Sequence, residues 1–283
     1  MKQEILQDRF AVMNNLWQKY SLFYALRSIR AAGFSKVDLW AGEPHLFIPD
    51  CSYAGLKTVR RFAASLGLTF SCLTPEMNGY PLSAAISDMG MRERAFQYGK
   101  KCIDAAEALE AGHVLFAPGW RYETDDRRES IHRTAEFLLE MADYAEHKGV
   151  LIETQHLTPF SSNLVNTIDD LQELADFLDD RIGFVADTSI LCGQGEKIED
   201  YLNAFGNRIR HIHLTDGKDG SLHIIPGEGT VPLKEIVETC PAGTDRIAEG
   251  WFHTLEINAV PCLSEPETSI QKTYHWLQAI DAR

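Results

Sequence analysis

The six cysteines, Cys51, Cys72, Cys102, Cys192, Cys240 and Cys262, include no CxxC pair. Neither a zinc ribbon nor a disulfide framework fits that scatter, so the thiols are read as small, reduced packing groups. No run approaches 18 apolar residues, which excludes a membrane-spanning helix. The first ten residues carry no apolar stretch behind their first charge, so they do not read as a secretory signal. Basic side chains are the scarcer kind, 27 against 41 acidic ones, for a net charge of −14. A chain so acidic repels polyphosphate, which excludes nucleic acid as a partner. No GxGxxG turn follows any candidate strand, which argues against a dinucleotide-binding sheet. Low-complexity tracts and linkers are missing too. With 45% hydrophobic and 24% charged residues the chain can bury a core, and the expectation is a globular, cytoplasmic protein.

What is present is a regular alternation. Short apolar runs predict strands near Arg9–Met13, Lys36–Trp40, Leu68–Leu73, His113–Ala117, Val150–Gln155, Ile182–Asp187, Ile209–Leu214 and His253–Ile257. Between them, apolar residues recur at three and four spacing. Phe96, Gly99, Ile103 and Ala106 form one such stripe, and Ala135, Leu138, Leu139, Ala142 and Ala145 another. Gly33, Gly67, Gly112 and Gly149 stand where helix C-caps favour a left-handed residue. Eight strand–helix units over residues 1–283 predict a single (β/α)8 barrel domain rather than an open doubly wound sheet.

Such barrels place their chemistry at the C-terminal ends of the strands. Strand five ends Glu153-Thr154-Gln155-His156, and strand six ends at Asp187. Strand seven carries His211 and His213 on one face, and strand eight carries Glu256 and Asn258. Four consecutive strands therefore send carboxylates or imidazoles toward one mouth, where they are costly to bury unless paired or bound to a cation. Mixed oxygen and nitrogen donors suit Mn²⁺, Co²⁺ or Mg²⁺ better than structural zinc. His113, His132, His147 and His275 have no convergent neighbours in the sequence and are read as packing or surface residues.

The segments Leu39-Trp40-Ala41-Gly42-Glu43-Pro44-His45 and Thr74-Pro75-Glu76-Met77-Asn78-Gly79-Tyr80-Pro81 are distinctive. So are Leu157-Thr158-Pro159-Phe160 with Ser162-Asn163, Arg210-His211-Ile212-His213, and His223-Ile224-Ile225-Pro226-Gly227-Glu228-Gly229. Through them the chain resembles the sugar-phosphate isomerase/epimerase family with a xylose-isomerase-like barrel, and within it the fructoselysine 3-epimerase type. The resemblance implies a divalent ion, commonly Mn²⁺, held by Glu, Asp, His and Glu from strands five to eight. Asp187, His213 and Glu256 match three of these, and the 26-residue interval from Asp187 to His213 agrees with the family. It also implies that metal-bound glutamates move a proton on the carbon next to a carbonyl. A homo-oligomer acting on a small sugar is implied as well.

Strand five departs from that pattern, because an ungapped alignment puts Gln155 where the family has its first glutamate. Glu153 lies on the same strand face, about 6.6 Å deeper. Either Glu153 ligates the metal and shares in catalysis, or Gln155 ligates through its carbonyl. The cost of an unpaired buried acid favours Glu153. Since Gln155 is no base, His156, with a pKa near working pH, is expected to serve as the second proton carrier beside Glu256. Ile190 replaces a substrate-binding histidine of related epimerases, so the sugar is held differently or a different one is bound. Trp40, His45, Glu76, Asn78, Tyr80, Trp120 and His223 are expected to line the sugar site. Arg121 and Lys218 are the only cations at strand ends, so a phosphate is not expected to be required.

Two other readings stay open. The chain also resembles the catalytic subunit of C-glycoside deglycosidases, which eliminate the aglycone from a 3-oxo-glycoside with a small second subunit. A barrel that binds a sugar without turnover is the other. A metal-dependent endonuclease on the same barrel would need more strand-end histidines and a basic face, which the charge excludes.

Overall fold

The computed structural model describes residues 9–239 and 251–281; Cys240 lies outside them. In chain order the strands are β1 (Phe10–Met13), β2 (Lys36–Ala41), β3 (Thr69–Pro75), β4 (His113–Phe116), β5 (Leu151–Gln155), β6 (Ile182–Asp187), β7 (Ile209–His213), β8 (Asp216–Lys218), β9 (Ser221–Ile224) and β10 (Phe252–Leu255). Strands β1 to β7 and β10 close into a barrel in sequence order, with β1 paired to both β2 and β10. Every barrel pairing is parallel. The (β/α)8 architecture is as expected from the alternation, and boundaries differ by one or two residues at strand ends, where hydrogen bonding frays.

The small antiparallel hairpin β8–β9 was not anticipated. Its arms are three and four residues long, too short for a period to register. The local signal was Asp219-Gly220, whose φ angles of 51° and 80° turn the chain as an Asp-Gly pair does in tight hairpins.

The helices are α1 (Leu22–Ala31), α2 (Tyr53–Ser65), α3 (Met89–Leu109), α4 (Arg127–Ala145), α5 (Ile168–Ala175), α6 (Thr188–Gly193), α7 (Ile198–Phe205), α8 (Leu233–Thr239), α9 (Val260–Ser264) and α10 (Pro266–Asp281). Side chains of Ser21, Ser52, Asp88, Asp126 and Thr167 accept the orphan N–H groups that open α1 to α5. Gly33, Gly67 and Gly149 take the left-handed conformation expected of them. At the fourth joint Glu110, not Gly112, adopts it, with φ 59° at the end of α3.

Two cores result. The larger fills the space between strands and helices. Gly99 shows how tight it is: a Cβ there would lie 2.5 Å from Met141 Sδ and 3.0 Å from the Phe137 ring, so α3 meets α4 through a missing side chain. The smaller core, Ala11, Cys72, Leu115, Val185 and Phe252, fills the barrel interior. Fully buried Asp38, Glu153 and His211 share that interior.

Candidate metal centre at the barrel mouth

Register brings the site together. Asp187 and His213, the last residues of β6 and β7, are direct partners, and His213 pairs with Thr254 of β10, two residues before Glu256. One donor atom from each of Asp187, His213 and Glu256 lies within 4.8 Å of the others. His213 Nδ1 stands 3.0 Å from Glu256 Oε2. Two adjacent ligands, each about 2.1 Å from a shared ion and at right angles, are separated by about that much.

The carboxylates are pre-oriented. Asp187 also caps α6: its Oδ1 accepts the N–H groups of Ser189 and Ile190, both at 2.9 Å, and the hydroxyls of Ser189 and Thr215. That leaves Oδ2 to face the cavity, where His223 Nε2 lies 3.0 Å away. Burial opposes ionisation of Asp187, but His223, His213 and the Ile190 N–H outweigh it and hold the carboxyl well below the usual range. Glu256 Oε1 accepts from Asn15 and Asn258, at 3.0 and 2.9 Å, which turns Oε2 toward His213. Its pKa is lowered, with burial again overcome by His223 and His213. For His213, burial favours the neutral ring, yet Asp38 and Glu256 raise its pKa to about 10. An excess of negative charge has thus gathered around one imidazole, the setting a divalent cation neutralises.

These groups open on a cavity of about 610 Å³, also lined by Trp40, Glu76, Asn78, Gln155, His223 and Asn258. Glu76 is braced by the N–H groups of Asn78 and Gly79 and by the Trp40 indole. The β8–β9 hairpin supplies His223 in a left-handed conformation, φ 56°. Its Nδ1 lies 3.1 Å from Asn258 Oδ1, and its carbonyl accepts the N–H groups of Asn258 and Ala259. Burial would lower its pKa, but Glu256 and Asp187 raise it to about 9. Asp216, at the hairpin's base, accepts four backbone N–H groups, from Gly217, Gly227, Gly229 and Val231.

Several expected site residues lie elsewhere. Glu153 does not reach the cavity; its Oε1 lies 2.6 Å from His113 Nδ1 and its Oε2 2.9 Å from His211 Nδ1. Those two histidines remove the penalty that was expected to bring Glu153 to the metal, and they hold it well ionised despite burial. His113, read as isolated, is therefore one of its partners. His156 points away from the cavity, as period two demands of Gln155's neighbour, and packs 5.1 Å from the Tyr201 ring. Burial pushes its pKa down to about 4. His45 is a structural tie: Nδ1 meets Asn14 and Nε2 the carbonyls of Trp17 and Tyr20. Tyr80 lies outside the cavity, its hydroxyl accepting the Glu43 N–H and its ring edge-on to Phe47. Trp120 also lies outside, its backbone tied to Ser83. In the other direction, Asn15, Gln18 and Ser161 line the cavity, although no sequence signal marks Gln18 or Ser161 as a site residue. For Asn15 the adjacent Asn14-Asn15, directly after strand one, is the available signal.

Residues 26–280 match the model of the xylose isomerase-like TIM barrel. The chain belongs to that family. It is 32% identical over 242 residues to fructoselysine 3-epimerase of Shigella flexneri, covering 85% of this chain and 86% of that protein. Among solved structures of the same fold, D-psicose 3-epimerase of Clostridium cellulolyticum H10, bound to D-tagatose, superposes with a TM-score of 0.77 at 17% identity. The match covers 97% of this chain and 98% of that one. The IolI protein, solved with a zinc atom, gives the same TM-score, identity and coverage. Within this family the described helices include none long and apolar enough to cross a membrane.

Proposed function

We propose that the protein is a divalent-metal-dependent epimerase that moves the proton on the carbon next to the carbonyl of a ketose or ketose derivative. The observation that carries this reading is the convergence of Asp187, His213 and Glu256 on one cavity at the barrel mouth. The similarity to a fructoselysine 3-epimerase supports the same substrate class. Asp187 Oδ2, His213 Nδ1 and Glu256 Oε2 would hold the ion. The fourth place falls to Gln155, whose Oε1 is buried without a hydrogen-bond partner among the described residues. This oxygen-rich donor set favours Mn²⁺, with Co²⁺ or Mg²⁺ able to substitute. When bound, the ion supplies the charge that polarises the substrate carbonyl and acidifies the neighbouring C–H.

Glu256 is the base in this reading. Asn15 and Asn258 fix one of its oxygens, so the carboxylate is aimed before substrate arrives. Gln155 can accept a hydrogen bond from a sugar hydroxyl but takes no proton. Trp40 offers an apolar face to the sugar, and Glu76 and Asn78 reach its hydroxyls. Among the described residues the lining contains no Lys or Arg, which fits a substrate without a phosphate.

Proton–deuterium exchange followed by NMR tests the proposal, with Mn²⁺-loaded protein in D₂O and fructose, psicose or a 3-oxo-glucoside. Exchange at carbon 3 of the ketose with appearance of its epimer is the expected result. Loss of an aglycone from the 3-oxo-glucoside without an epimer would replace epimerisation by elimination. Both readings drew their second proton carrier from His156, which the fold turns away from the cavity, so in either case that role passes to another titratable group of the lining, Glu76 or His223. Bound metal without exchange on any substrate would favour a barrel that only binds.

A further inference from the structure

Below the mouth, the barrel interior holds charged groups that the proposed reaction does not use. Asp38 of β2 is fully buried. Its Oδ1 accepts the Thr74 hydroxyl at 2.6 Å, and its Oδ2 accepts the Thr254 hydroxyl at 3.0 Å. The same Oδ2 lies 3.6 Å from His213 Nε2 and 3.8 Å from His211 Nε2. His213 Nε2 is buried and has no hydrogen-bond partner among the described residues, while its Nδ1 faces Glu256 and the cavity.

A histidine that donates one ring nitrogen to a metal carries its proton on the other, and that N–H must find an acceptor. Only a carboxylate gives it a charge-assisted bond, fixing both tautomer and ring plane. We propose that Asp38 is the positioning residue for the metal centre: its Oδ2, 3.6 Å from His213 Nε2, closes on the Nε2–H when Nδ1 takes the ion, fixing the ring. The inference rests on the metal-dependent reading of the mouth. Thr74 and Thr254 anchor Asp38 from the strands on either side of the gap, and a carboxylate oxygen has room for a second donor beside Thr254. Glu153 has a supporting part. It engages His211 and His113 below, so His211 is held beside Asp38 rather than free to occupy its oxygen from another direction. The acid of strand five thus serves the metal at second hand.

The test measures metal binding apart from turnover. Mn²⁺ affinity is compared for the wild type, Asp38→Ala, Asp38→Asn and Thr254→Val, with thermal melts confirming that each folds. Asp38→Ala is expected to lose roughly 10–100-fold in affinity, and Asp38→Asn, which keeps an acceptor oxygen, less. In Zn²⁺-loaded wild type, long-range ¹H–¹⁵N correlation is expected to show His213 protonated on Nε2, with a downfield, slowly exchanging proton that Asp38→Ala lacks. Unchanged affinity in folded Asp38→Ala, or a His213 ring protonated on Nδ1, overturns the inference and leaves the metal centre standing. A wild type that binds no ion overturns both. Two equivalents of metal, one of them lost in Cys72→Ser, would instead make Asp38, Cys72 and His211 a second site and also overturn it.

Discussion

Glu153 and Gln155 of β5, and His156 directly after it, part by parity and depth. Gln155 reaches the cavity, His156 points outward onto Tyr201, and Glu153 drops one interior layer to meet two histidines. The proposed metal site thus has one acid fewer than the resemblance implies. Gln155→Glu is therefore expected to tighten Mn²⁺ binding by about tenfold, because ligand charge count sets affinity at oxygen sites. Isothermal titration checks this, and no gain would mean that Gln155 does not face the ion. Glu256→Gln retains the shape and an oxygen ligand but removes the base. It is expected to slow exchange at carbon 3 by roughly 10²–10⁴-fold, measured by the NMR assay with metal occupancy confirmed. Activity retained in that variant would pass the base to another group in the lining, of which Glu76 and His223 are the titratable candidates.

At the scale of elements, the β8–β9 hairpin is the piece laid over the mouth, and Asp216 holds it. Four backbone donors on one carboxylate form a staple, tying the hairpin's base to Gly227, Gly229 and Val231. Asp216→Ala removes the acceptor of one buried and three part-buried N–H groups, at a cost of about 1–3 kcal/mol. Because the staple touches no proposed ligand, the loss is expected in the hairpin's order. Amide exchange should accelerate over residues 216–231, and KM should rise more than kcat falls. Equal losses in both would indicate that the hairpin acts in the reaction rather than in holding substrate. Helix α6 has a different dependence, since its capping residue is Asp187 itself. Substitution there removes a ligand and a cap together, the cap alone being worth about 1 kcal/mol.

For the molecule as a whole, the barrel closes through backbone pairing and apolar packing, and the proposed ligands Asp187, His213 and Glu256 belong to neither core. The metal-free chain is accordingly expected to stay folded, with the ion adding stability by mass action. At an ion concentration 100 times its Kd this amounts to about 2.7 kcal/mol. For a chain of this size that corresponds to a rise in Tm of roughly 5 °C. Melts with and without EDTA followed by Mn²⁺ check it, and coincident curves would contradict metal binding. The net charge of −14 draws cations toward the mouth, so the apparent Kd should weaken as salt is raised.

The barrel is legible in the primary structure alone, because the alternation of two periods is a local property that every βα unit repeats. The convergence of Asp187, His213 and Glu256 at one mouth was legible too, since each ends or follows a strand and strand order places those ends side by side. Trp40, Glu76, Asn78 and His223 followed from the same rule. How deep each group sits and what it meets depend instead on contacts between distant segments. Glu153 was assigned upward to the metal on the cost of an unpaired acid, and the fold pairs it through His113, forty residues away on the neighbouring strand. His45, Tyr80 and Trp120 follow strands at the correct end yet turn into tethers, because loop paths depend on contacts such as His45 with Trp17 and Tyr20. Asp38 was passed over for the converse reason: it sits mid-strand, where a polar residue acquires meaning only from the far strands that close the barrel around it.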